Sequence, residues 1–325
     1  MAEDDGLVCA YLQPPQGTWT EIGWEEVRAW TPKAGLLWVH LDRTAERTKA
    51  YLHGESGLDP LVAENLLAEE TRPRALEIDG NLLVSLRGVN LNPNADPDDM
   101  VSLRLWLTPS YIITARHRRI MAISDMRERI EKGRGPQTAG DFLVEVAGRL
   151  VDRMSPVIED LDEAENDIED RVVAGDHKDS RSQLGALRRE AIGLRRYLAP
   201  QREAMSRIQG EPISWLDPRQ KARLREISDR ILRYIEDLDA IRERAAVIQD
   251  EVANRVAEEM NKNMYMLAIV ATVLLPLGFV TGLLGINVDG MPGSKETPWA
   301  FWAVTGFLGL FVAVEIYLMR KFKWF

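Results

Sequence analysis

The stretch NMYMLAIVATVLLPLGFVTGLLGINV, residues 263–288, contains no charged side chain and is apolar at most positions. At 1.5 Å per residue it is long enough, as a helix, to cross a hydrocarbon layer of ~30 Å. Helices of soluble cores seldom stay uncharged over such a length. A second apolar run, TPWAFWAVTGFLGLFVAV (297–314), continues past Glu315 through Ile316 to Met319. The connection between the two, 285–298, is short and rich in Gly and Pro. A two-helix transmembrane hairpin is therefore predicted.

The flanking charges orient it. Arg255 and Lys262 precede the first span, and Arg320, Lys321 and Lys323 follow the second. The connecting loop holds only Lys295, against Asp289 and Glu296. Basic residues stay on the cytoplasmic side, so both termini are expected in the cytoplasm and the loop outside, in a multi-pass protein of a bacterial inner membrane. Trp299 and Trp302 at one end and Trp324 at the other suit the interfacial belts.

Upstream of the first span, Asp217-Pro218 reads as a helix N-cap with proline at the first helical position. Apolar residues then recur at Ile227, Ile231, Tyr234, Leu238, Ile241, Ala245, Ile248 and Val252, in alternating steps of four and three. No proline or turn signal interrupts residues 219–275. One helix of ~67 residues and ~100 Å should run from the cytoplasm into the first span. So narrow a seam needs partners, and copies of the same helix are the expected ones, giving a homo-oligomer.

Residues 7–116 alternate strand and helix signals. LVCAYL (7–12), LLWVHL (36–41), NLLVSLR (81–87), VSLRLWL (101–107) and YIITAR (111–116) read as strands; residues 21–30, 44–53 and 59–69 read as helices. From about 138 the pattern is helical, including EDLDEAENDIED (159–170), with eight carboxylates in twelve positions, and a further helix over 180–209. A solvated helix face is the plain reading of that acidic run; a cation-attracting tip is the functional one. The expected organisation is an α/β cytoplasmic N-terminal domain (1–135), an acidic helical hairpin (136–210), a stalk helix (211–262), the first span (263–288), an outer loop (289–298), the second span (299–319) and a basic tail (320–325).

Two spans cannot enclose an aqueous path, but several chains around an axis can. On the first span Met264, Ala268, Ala271, Leu275, Gly278, Gly282 and Gly285 follow one another in steps of three and four, and shrink toward the outer end. Small residues admit a close helix neighbour or leave lumen space, and spacing alone leaves both open. Asn261 and Asn287 bracket the stripe. Their amide oxygens can accept hydrogen bonds from the water shell of a divalent ion without trapping it by charge, as conduction requires.

Bulk composition removes other classes. A net charge of −10 argues against nucleic acid as a partner. One cysteine, Cys9, excludes an internal disulfide framework. Four scattered histidines, with no HExxH or paired CxxC, give no support to a tetrahedral zinc site. No glycine-rich phosphate loop and no catalytic constellation is present, so neither an enzyme nor a cofactor is predicted. The opening MAEDDG lacks an apolar h-region, so no signal peptide is expected.

The tail resembles the CorA family of divalent metal ion transporters. The resemblance rests on a charge-poor span with a central Pro276, the triplet Gly285-Ile286-Asn287, a short loop containing Met291-Pro292, a second span and a basic tail with Trp324. The usual triplet is Gly-Met-Asn; Ile286 departs from it. GINVDGMPG (285–293) looks most like the ZntB branch, with Asp289 in place of the first glycine of that branch's pair, and Gly293 stands where magnesium-type members carry an acidic residue after Met-Pro.

Membership implies a funnel-shaped homopentamer with the first spans around the pore. It makes Asn287 the outer ring that receives hydrated cations, with Gly285 and Asp289 beside it and Asn261 at the cytoplasmic mouth. Met264 and Leu275 become apolar constrictions, on a lining completed by Ala268, Ala271, Gly278 and Gly282. The ZntB branch implies zinc as cargo, with proton-coupled uptake; magnesium, cobalt or nickel are the alternatives within the wider family. The stripe carries no thiolate or imidazole, so selectivity would act on hydrated ions, and zinc rests on the branch resemblance alone.

Overall fold

A computed structural model describes residues 5–176, 179–285 and 299–321. The chain divides into two compact units, Met1–Asp250 and Glu251–Phe325.

The first unit is built on a seven-stranded sheet of order β2-β1-β3-β7-β6-β5-β4. The strands are β1 (Leu7–Gln13), β2 (Thr20–Glu21), β3 (Leu36–Asp42), β4 (Arg74–Ile78), β5 (Asn81–Gly88), β6 (Val101–Leu107) and β7 (Tyr111–Arg116). Among the described strands only β3 and β7 run parallel, with Val39 opposite Ile113. β4 was not expected from the sequence. It is an edge strand of mixed exposure, joined to β5 through Asp79-Gly80, both at positive φ. That dipeptide closes a two-residue hairpin whose twist matches the strands, and it was the readable signal.

Helices cover both faces of the sheet. On one lie α1 (Trp24–Ala29), α2 (Glu46–Ala50), which continues as a π turn over Tyr51–Glu55, and α3 (Pro60–Leu67). Trp24, Val27, Leu52, Val62 and Leu66 close that core over Val39 and Ile113. β3 also buries its other face: Trp38 lies 4.9 Å from Phe142 of α5 (Ala139–Asp152). A strand buried on both sides reads as the continuous apolar run seen at 36–41. His40 sits inside that run, fully buried, its Nδ1 2.8 Å from Thr114 Oγ1. Burial pushes its pKa down to about 3, so it stays neutral and serves packing. The remaining helices are α4 (Met121–Glu131), not anticipated from the sequence, α6 (Ser155–Val173), α7 (Ser180–Gly210), α8 (Pro218–Leu284) and α9 (Ala300–Lys321).

α8 begins where the sequence placed it. Asp217 Oδ1 accepts from the Gln220 N–H at 2.8 Å, and Gln220 Oε1 accepts from the Asp217 N–H at 3.0 Å, a reciprocal cap. At 67 residues the helix is ~100 Å long.

The seam, however, is not left open for copies of the chain. Ile227, Ile231, Leu238, Ile241, Ala245 and Ile248 are buried within a single chain, Ile235 is buried as well, and Tyr234 is only half-buried. The cover comes from α5, α6 and α7. Arg230 pairs with Asp152 at 2.7 Å, Arg195 with Asp239 at 2.7 Å, and Arg188 donates to Gln249 at 2.8 Å. Assembly through these residues is thereby corrected: an apolar seam demands a partner, and neighbouring helices of the same chain supply it.

The acidic run on α6 is mostly a solvated face, with Glu159, Asp160, Glu163, Asp167, Glu169 and Asp170 exposed. Glu165 is the exception, fully buried beside Arg244.

Candidate functional site

In the second unit the segment of α8 beyond Glu251 and all of α9 are exposed along most of their length, and both helices are long and apolar enough to cross a membrane. Only one side of each is covered. Within the apolar run of α8 the half-buried positions are Ile269, Val273, Pro276, Leu277 and Val280; on α9 they are Val304, Leu308, Phe311, Val312 and Glu315, with Met319 buried. Both sets recur at helical spacing, as expected of two helices that pack along one stripe each.

The predicted pore residues lie on α8 outside its covered stripe. Asn261, Met264, Ala268, Ala271, Leu275, Gly278 and Gly282 are all exposed, and Gly285 closes the helix with its N–H on Thr281 O at 3.0 Å. Steps of three and four keep them on one face, drifting by about 20° per seven residues. No side chain among them carries charge, a thiolate or an imidazole, so the face presents an amide, methyl and isobutyl groups, bare backbone and, as its one soft donor, the thioether of Met264. It can meet a hydrated ion but cannot replace its water with strong ligands. Asn287 and Asp289 lie outside the described residues. Among the described residues no cluster of His, Cys, Asp and Glu could hold a metal ion.

Both threonines in the apolar segment of α8 are satisfied within the helix. Thr272 Oγ1 donates to Ala268 O at 2.8 Å and Thr281 Oγ1 to Leu277 O at 2.8 Å. Pro276 interrupts the backbone ladder, because it has no N–H to give to the carbonyl one turn earlier.

Glu315 is different. It stands in the apolar run of α9, half-buried, with Oε2 shielded from solvent and without a hydrogen-bond partner. A polar side chain shielded in that way without a partner is costly, and packing alone does not account for it. The sequence showed it only as the residue interrupting the second apolar run.

Comparison with known proteins defines the class. Residues 33–321 match the family model described as CorA-like Mg2+ transporter protein. The chain belongs to the CorA family: it is a divalent cation transporter with membrane-spanning helices, and not an enzyme. It is 37% identical to the divalent cation transporter CmaX of Pseudomonas aeruginosa, over 99% of this chain and 98% of that one. It is 35% identical to the zinc transport protein ZntB of Pectobacterium carotovorum, over 99% and 97%. The structure of full-length CmaX superposes with a TM-score of 0.84 at 36% identity, covering 98% of this chain and 99% of that one. The CorA magnesium transporter of Methanocaldococcus jannaschii shares the fold, with a TM-score of 0.83 at 16% identity over 98% and 99%.

Proposed function

We propose that this chain carries zinc across the bacterial inner membrane, as a homopentamer with both termini in the cytoplasm and the α8 stripe around the path. The observation that carries the reading is that stripe: a continuous exposed face from Asn261 to Gly282, on an apolar helix, with no charge along it. One chain leaves it uncovered, and the small residues toward Gly282 are those that a narrow aqueous lumen can use. The similarity to ZntB proteins supports zinc as cargo.

In this reading Asn287 forms the outer ring with Gly285 and Asp289 beside it, Asn261 the inner ring, and Met264 and Leu275 the apolar constrictions. Glu315 supports coupling to protons: it is a shielded carboxyl without a hydrogen-bond partner inside a membrane helix, the kind of group on which proton relays are built.

The alternative reading is a magnesium, cobalt or nickel channel of the same family. The description of the family model and the uncharged stripe favour it equally, since hydrated divalent ions share charge and differ little in outer diameter.

Purified protein in lipid vesicles, loaded with a zinc-sensitive dye, tests both. Saturable zinc uptake, accelerated by an imposed pH gradient and unaffected by excess magnesium, is the expected result. Uptake of magnesium, cobalt or nickel in preference to zinc, indifferent to pH, establishes the alternative.

A further inference from the structure

In a chain of net charge −10, one cavity of the first unit is strongly basic. It has a volume of about 530 Å³ and is bordered by Arg43, Arg72, Arg87, Arg104, Arg118 and Arg196. Its carboxylates are Glu69 and Glu70, both exposed, and Asp99, which pairs with Arg118. The walls come from β5, β6, the segment between α3 and β4, and α7.

Arg104 lies at its base. It stands in the middle of β6, in the run VSLRLWL, where an arginine is out of place, and it is 1% exposed. Its Nη2 donates to the carbonyls of Ala68 and Glu69, and its Nη1 and Nε are buried with no partner. No ion pair to a carboxylate is seen for it among the described residues. The charges that act on it are Arg43 and Arg87, of the same sign. Burial and those two charges lower its pKa to about 10, so it stays protonated at neutral pH.

A buried guanidinium among like charges is expensive unless an anion completes it. The other walls are already fixed for such a ligand. Arg87 is held by the carbonyls of Met100 at 2.6 Å and Thr71 at 3.0 Å, and its guanidinium lies 4.4 Å over the ring of Tyr197. Its Nε, like that of Arg43, is buried and unpartnered. Water would fill the space but leave the charge uncompensated. The planar fork of arginine matches the oxygens of a phosphate two at a time, and the volume suits a small organic ligand.

We infer that this cavity is a binding site for a small phosphate-bearing anion, of the size and charge of pyrophosphate or a nucleoside diphosphate, gripped by Arg104, Arg87 and Arg43 and closed by Arg72 and Arg196 at the rim. Such a ligand would bridge β5 and β6 to α7 within the cytoplasmic unit. All of its residues belong to the first unit.

Titration calorimetry and thermal unfolding of the purified full-length protein, with pyrophosphate and with ADP as probes, test the inference. Saturable binding at one site per chain is expected, with a rise in melting temperature. Arg72 and Arg196 are both exposed, so the Arg72→Ala, Arg196→Ala double variant should melt like the wild type without ligand and bind about tenfold more weakly. Arg104→Lys keeps the charge and loses the fork, and should bind both probes more weakly still. Arg28→Ala, on α1, should bind as the wild type does. If the double variant does not fold, Arg72→Ala alone takes its place. No saturable binding of either probe, or undiminished affinity in the rim variants, would overturn the assignment.

Discussion

Glu165 of α6 is completely buried against α8, its Oε2 2.9 Å from Nη2 of Arg244, which also pairs with Asp162. It is the one carboxylate of the acidic run that the fold removes from water. Desolvation holds its pKa up at about 7, against an ordinary 4.5; Asp162 and Glu169 reinforce the rise and Arg244 opposes it. Between those two values the unfolded chain has released this proton and the folded chain retains it. The group's contribution to stability is therefore full below 4.5 and is lost as pH rises to 7. Glu165→Gln should raise the melting temperature of the protein at pH 8 and change it little at pH 4.5. An equal shift at both pH values would show that Glu165 is not the group responsible.

Ile241 is 1% exposed inside the chain. Ile241→Asp should accordingly unfold the first unit, at a cost of about 3 kcal/mol or more, instead of splitting an oligomer into folded subunits. Circular dichroism and size-exclusion chromatography on the same sample decide. A folded monomer would restore the seam as a contact between chains.

Asn287 distinguishes a cap from a selectivity ring. Glycine is the preferred residue after a helix C-terminus, so Asn287→Gly should leave folding and assembly intact while removing a ring of amide oxygens. We expect a stable protein whose vesicle uptake is lost or strongly reduced. Near-normal uptake would remove Asn287 from the pore.

Glu315→Gln keeps the shape of the side chain and abolishes its titration. If this carboxyl carries the coupled proton, zinc uptake by the variant becomes insensitive to an imposed pH gradient, while metal-driven uptake persists. Retained acceleration by the gradient would place coupling elsewhere.

The orientation is open to chemical labelling. Cys9 is buried, and burial pushes its thiol up to about 12, so it contributes little background. In intact cells, a cysteine at position 294 in place of serine should react with a membrane-impermeant reagent, and one at position 323 in place of lysine should not. The reverse pattern would invert the topology.

The elements whose signal is local can be read from the order of residues alone. An uncharged run of 26 residues, a capped start at Asp217 and the absence of any break before Pro276 define α8, because helix formation and membrane insertion both depend on neighbouring residues along the chain. The strands with continuous apolar runs were legible for the same reason, and the family showed in a triplet and its position. Which faces meet depends on the packing of the folded chain. The periodicity of Ile227 to Ile248 announces a partner but not whose, and α5, α6 and α7 of the same chain proved to be it. Nor does the pattern of β6 reveal that Arg104 faces a cavity ringed by arginines from five other segments. Periodicity records that a side chain is buried; what it is buried against depends on contacts far apart in the sequence, and the charge of such a site exists only once those segments converge.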